Sequence, residues 1–228
     1  MNRIYVPTRG PEDWRALLAD PDKHWVSGYS AKTLAYAWET QSGYPIEIAR
    51  VLNQHPALED AEPLLIFPEW KVPLPGGARP SQNDIWTLAK GGSGLISIAV
   101  EGKVEEPFDK TVGEWRADAS PGKTLRLKYL AETLGLDGNI PDGIRYQLLH
   151  RTASALIEAR RFCARDAVML VHSFSDQHQW FQDFADFVAL FGTGVEAEVN
   201  RLVSAAPIDG ISLHLGWVHG ERRTTATP

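Results

Sequence analysis

The chain has 228 residues, of which 43% are hydrophobic and 23% charged, with eight Trp and eight Phe. That composition rules against a disordered or low-complexity chain and is enough for one hydrophobic core of ordinary to large size. The formal net charge of −6 argues against a protein that coats nucleic acid, since such binding comes from Lys and Arg neutralising phosphates.

The first third reads as helical. Gly10-Pro11-Glu12-Asp13 puts proline at a first helical position with acids behind it, and Trp14, Leu17 and Leu18 form an apolar stripe. A second helix follows Ser30, with Leu34 and Trp38 four apart and Glu39 beside them. A third starts at Pro45, carries Ile46, Ile48, Val51 and Leu52, and ends at His55-Pro56.

The period then changes. Leu64 to Phe67 is a short apolar run closed by Pro68, and after PLPGGARP come two strand candidates, Asp84 to Lys90 and Leu95 to Glu105. Gly91-Gly92-Ser93-Gly94 between them favours a tight hairpin turn. Helical patterns resume, the longest from about Asp142 to Cys163 with Ile144, Leu148, Ala155, Leu156 and Ala159 on one side. Ala167 to Phe174 predicts a buried strand, Trp180 to Phe191 and Val195 to Val203 predict helices, and Ile211 to Val218 predicts a last strand. The expected class is α/β in a single domain over 1–228, with a helical extension at 1–29, a core at 30–174, and further helices and a strand at 175–228.

Cys163 is the only cysteine, so an intrachain disulfide and a cysteine zinc site are excluded and a reducing compartment follows. MNRIYVPTRG lacks the apolar region of a signal peptide, and no stretch nears the roughly 18 apolar residues of a membrane span. The expectation is a cytoplasmic protein with no membrane partner; a homo-oligomer is compatible with everything above.

The hairpin carries the chemistry. If Lys90 pairs with Leu95, paired residue numbers in this antiparallel hairpin add to 185 and Asp84 faces Glu101. Opposed side chains share a sheet face with Cβ atoms about 4.5 to 5.5 Å apart, so two carboxylates there repel and a cation relieves them. Lys103 lies two residues on, on the same face. Two acids near a sheet edge suit a hard divalent ion such as Mg2+ or Mn2+, which takes a few carboxylate oxygens and completes its shell with water and phosphate.

Asp84 and Glu101-Gly102-Lys103 resemble the signature of the PD-(D/E)XK, or restriction-endonuclease-like, nuclease superfamily, and the order of elements from Ser30 to Phe174 is similar to its αβββαβ core. The resemblance implies a central mixed sheet flanked by helices, with additional C-terminal helices and a strand. It implies magnesium- or manganese-dependent hydrolysis of nucleic acid, DNA more often than RNA. Asp84 and Glu101 would be metal ligands, the Gly102 carbonyl a backbone ligand and Lys103 the catalytic lysine. Glu39 would match an acid that some members supply from the preceding helix, and Gln147 a polar residue on the helix after the motif. The chain departs from the pattern in having Asn83 where proline precedes the acid, and Arg151 where one subset has tyrosine four residues after the glutamine.

Other readings compete. Arg145, Arg151, Arg160, Arg161 and Arg165 read chiefly as a solvated helix face. Glu69-Trp70-Lys71 repeats the acid-x-Lys triplet, but as a decoy at the end of a short run with no partner strand bearing an acid in register. His172 and His214 read as satisfied interior residues, and WFQDFADFVALF as a core-facing helix. A nuclease fold without turnover, acting as a binding or structural module, is the alternative function; a His/Ser hydrolase has only HSFSDQH in its favour.

Overall fold

Proline opens the first turns. In the computed structural model, which describes residues 4–6, 8–39 and 42–222, Pro11 begins a 3-10 helix (Pro11–Leu17) and Pro21 begins α1 (Pro21–His24), capped by Asp20 accepting from the Lys23 amide. The outermost parts of the two flanking segments, 1–3 and 223–228, lie outside the described residues. Then come α2 (Ser30–Glu39), α3 (Ile46–Leu52), β1 (Glu62–Val72), β2 (Ser81–Gly91) and β3 (Gly94–Lys103). The rest is α4 (Val112–Ala117), α5 (Pro121–Thr133), α6 (Tyr146–Arg161), β4 (Asp166–Ser173), α7 (Phe181–Ala189), β5 (Arg201–Ser204) and β6 (Ser212–His219).

The six strands form one mixed sheet in the order β1-β2-β3-β4-β6-β5, and the protein is of the α/β class. β4 pairs in parallel with β3 and β6; the other three pairings are antiparallel. All eight β4 residues are buried, as a near-continuous apolar run predicts for a strand covered on both faces. Alternation splits the core accordingly. Ala167, Met169 and Val171 pack with the α5, α6 and α7 side chains, whereas Val168 and Leu170 pack with Leu34, Trp38, Ile48 and Leu52 of α2 and α3.

The hairpin register is the one the turn predicts: Lys90 pairs with Leu95 and Ile85 with Val100, and Gly91 opposite Gly94 leaves Gly92-Ser93 as a two-residue loop. β1 differs from its expectation. It does not stop at Pro68 but runs from Glu62 to Val72. It is the edge strand, where a residue lacking an amide proton breaks no inner ladder. A bulge between Pro63 and Leu65 shifts its pairing with β2 by one.

The helix expected over Val195 to Val203 is absent; Arg201–Ser204 is a strand instead. Gly192, Gly194 and Asn200 have φ of +59°, +68° and +61°, which turn the chain out of a right-handed helix. The segment then gains a ladder on the free edge of β6. The long helix begins later than its apolar pattern, at Tyr146, because the Val112 amide donates to the Ile144 carbonyl and the Tyr146 amide to the Lys110 carbonyl, bridging the segments before α4 and α6. No described helix is long and apolar enough to cross a membrane.

Candidate active site

Where the hairpin strands end, a cavity of about 450 Å³ opens. Glu69 and Asp84 reach it from β1 and β2, Glu101 and Lys103 from β3, Gln147 and Arg151 from α6, while Leu18, Lys23, His24 and Tyr29 wall it from the N-terminal segment. Four expected residues, Asp84, Glu101, Lys103 and Gln147, therefore meet. The pairing that ends at Ile85–Val100 places Asp84 and Glu101 next in line.

Glu101 is the hub. Lys103 Nζ donates to its Oε1 at 2.8 Å, Gln147 Nε2 donates to the same oxygen at 2.7 Å, and Arg151 Nε donates to Oε2 at 2.5 Å. Side-chain exposures of 3% for Glu101 and 4% for Lys103 put the ion pair almost out of water. Lys103 also donates to Gln147 Oε1 at 3.3 Å and lies 4.8 Å from the centre of the Phe108 ring. The Asp109 amide holds the same Gln147 oxygen, so the amide group is oriented from both sides. Asp84 Oδ2 accepts from the Gly102 amide at 2.7 Å, and its Oδ1 is 3.9 Å from Arg151 Nη2.

Burial and charge together set the titration. Burial alone would raise the Glu101 carboxyl, but Arg151 and then Lys103 outweigh it and hold it below its ordinary value. Burial and then the Glu101 charge push Asp84 up to about 7, against the pull of Arg151, Lys103 and the Gly102 amide. Burial and then the Asp84 charge push Glu69 up to about 8, against the hydrogen bond from Gln82. Three acids face two buried cations, and Asp84 and Glu69 meet burial and their mutual repulsion by keeping protons toward neutral pH.

Glu69 corrects the decoy reading. The flanking pairs Pro68–Ile85 and Trp70–Asn83 set it opposite Asp84, so the partner strand does carry an acid in register. The reason is the bulge: without that one-residue shift Asp84 would face Pro68. Glu69 also has φ +54°, uncommon for a residue with a side chain, and its Oε2 accepts from Gln82 Nε2 at 2.6 Å. Arg151 corrects the solvated-face reading: it is 7% exposed because its row of α6 packs on the hairpin. Its side of the helix was the only available signal, one turn after Gln147.

Glu39 is not among the cavity's lining residues. It accepts from Trp14 Nε1 at 2.6 Å and Thr8 Oγ1 at 2.9 Å, fastening the N-terminal segment to α2. Gly102 is where the motif puts it, and a Cβ there would lie 3.3 Å from Asp84 Oδ2, Leu34 Cδ2 and Ser30 Cβ. His172 is interior, receiving Trp38 Nε1 on Nδ1 at 3.1 Å. His214 is interior too, and with Asp166 and Ser204 it ties the starts of β4 and β6 to the end of β5. A second cavity, about 500 Å³ beside Trp115 and Leu127, is mostly apolar, and its charges pair at the rim as Arg116–Asp142, Lys123–Asp118 and Lys128–Glu132.

Among the described residues no group of three or more His, Cys, Asp or Glu is placed to hold a metal ion together. The donor chemistry nevertheless fits a hard divalent ion: the available groups are carboxylate oxygens, Asp84 and its neighbours Glu69 and Glu101 repel one another in a way a cation would relieve, and magnesium ordinarily takes only one or two protein carboxylates.

Fold and site define an α/β protein whose central hairpin carries a buried carboxylate, lysine and arginine cluster at the mouth of a cavity. Residues 7–222 match the sequence family described as a domain of unknown function, DUF6946, and the chain belongs to that family. No curated protein and no solved structure matches it.

Proposed function

We propose that this protein is a divalent-metal-dependent nuclease of the restriction-endonuclease-like kind, hydrolysing phosphodiester bonds of DNA or, second, RNA. The observation that carries the reading is the convergence of Asp84, Glu101, Lys103 and Gln147 on one cavity, in the register the hairpin turn dictates. Asp84 and Glu101 would hold magnesium or manganese. Bound there, the ion would supply Lewis acidity toward a phosphate oxygen and a more acidic water. Glu101 orients Lys103, whose ammonium faces the cavity beside Gln147 and can hold a water or take part in moving its proton. Phe108 and α6 keep bulk water from the ammonium, which strengthens each of these contacts.

Purified protein with magnesium or manganese should cut single-stranded DNA, duplex DNA or RNA, and Asp84→Ala or Lys103→Ala should lower the rate by about a hundredfold or more. Equal rates in the variants would sink the reading. Arg151 supports a second one, a nuclease fold without turnover that serves as a binding or structural module: it neutralises Glu101 and approaches Asp84 with the protein's own cation. Calorimetry separates them, since a module of that kind shows no divalent binding that depends on Asp84.

A further inference from the structure

Every cation a carboxylate pair attracts competes with the others for the same oxygens, and here one contender is covalently attached. Arg151 Nε is bonded to Glu101 Oε2, Nη2 reaches toward Asp84 Oδ1, and Nη1 donates to Ser81 Oγ at 3.3 Å. Ser81 is itself fixed 2.8 Å from His150 Nδ1, so the guanidinium is braced on both sides. A guanidinium stays charged at any working pH, which means it cannot make room by losing a proton.

We propose that Arg151 is the resting counter-ion of this site and that it and a divalent cation exclude one another between Asp84 and Glu101, so that this side chain sets the metal affinity. The inference rests on the metal-dependent reading above. Even with all three acids ionised, they and Lys103 and Arg151 leave only one negative charge, and a divalent ion added to that set would leave a positive one, with two cations crowded on the same oxygens. The guanidinium therefore has to leave for the metal to enter. The cavity beside it provides the space, and a guanidinium moved there presents paired N–H groups where a substrate phosphate would lie, the oxyanion it binds best. Metal entry and phosphate binding then favour one another through Arg151.

The test is calorimetric titration of Mg2+ into the wild type, Arg151→Lys, Arg151→Gln and Arg151→Gln with Asp84→Asn, with thermal unfolding followed in parallel in EDTA and in Mg2+. Arg151→Gln should bind Mg2+ at least tenfold more tightly than the wild type, about 1.4 kcal/mol. Arg151→Lys should fall between, and adding Asp84→Asn should abolish the gain. In EDTA the Gln variant should melt below the wild type, because an unpaired buried acid remains, and Mg2+ should raise its melting temperature more than the wild type's. Should the Gln variant not fold in EDTA, the Lys variant decides by the same comparison. Unchanged or weaker Mg2+ affinity in these variants overturns the competition while leaving a metal site standing; absence of binding in every form overturns the metal-dependent reading as well.

Discussion

At position 69 the chain places a carboxylate on a left-handed backbone, opposite a second carboxylate on the next strand. An ordinary surface glutamate would titrate near 4. Burial and then mutual repulsion hold Glu69 near 8 and Asp84 near 7, so between about pH 4 and 8 the folded protein keeps protons that the unfolded chain has given up. Stability depends on pH with the sign of protons bound unfolded minus folded; that difference is negative here, and stability falls as pH rises through the window. Glu69→Gln removes one titration and relieves Asp84. Denaturant midpoints measured in EDTA at pH 5 and pH 8 should therefore drop less for Glu69→Gln than for the wild type. A drop just as steep would mean that Glu69 ionises as freely in the fold as outside it.

Among elements, the three-strand edge of the sheet is held to α6 by a stack of rings. Trp86, fully buried on the same face of β2 as Asp84, lies 5.2 Å between centroids from both Trp70 of β1 and Phe162 at the end of α6, and its Nε1 donates to Ser97 Oγ on β3 at 2.9 Å. Trp86→Ala should cost about 3 to 5 kcal/mol of stability, read from chemical denaturation, since it empties a large volume that four elements share. This level of structure also separates what was legible in the sequence from what was not. The hairpin was legible because a glycine turn fixes register locally, and Asp84, Glu101 and Lys103 inherit their places from that turn alone. β1 was not, because its register depends on a bulge five residues before Glu69 that no local propensity announces. Arg201–Ser204 was misread as helix because its strand exists only through the edge of β6. Arg151 looked like surface because a helix pattern gives the angle around the axis but not which partner covers it.

For the whole molecule, charge sets how a nucleic acid could be held. The net charge is −6, and among the described residues the lysines and arginines that line the cavity are Lys23, Lys103 and Arg151; two of them are already bonded to Glu101. A strand seated there can displace few counterions. Each neutralised phosphate contributes about 0.7 to the salt slope for a single strand and about 0.9 for a duplex, so three contacts give a slope of log affinity against log salt no steeper than about −3. Fluorescence anisotropy of a labelled oligonucleotide across a salt series, with EDTA present to suppress cutting, measures it. A slope near −6 or beyond would require a basic surface elsewhere and would move the nucleic acid off this cavity. A shallow slope that becomes shallower still by about one in Lys23→Ala would place a phosphate against the N-terminal wall, beside the acids that Arg151 now neutralises.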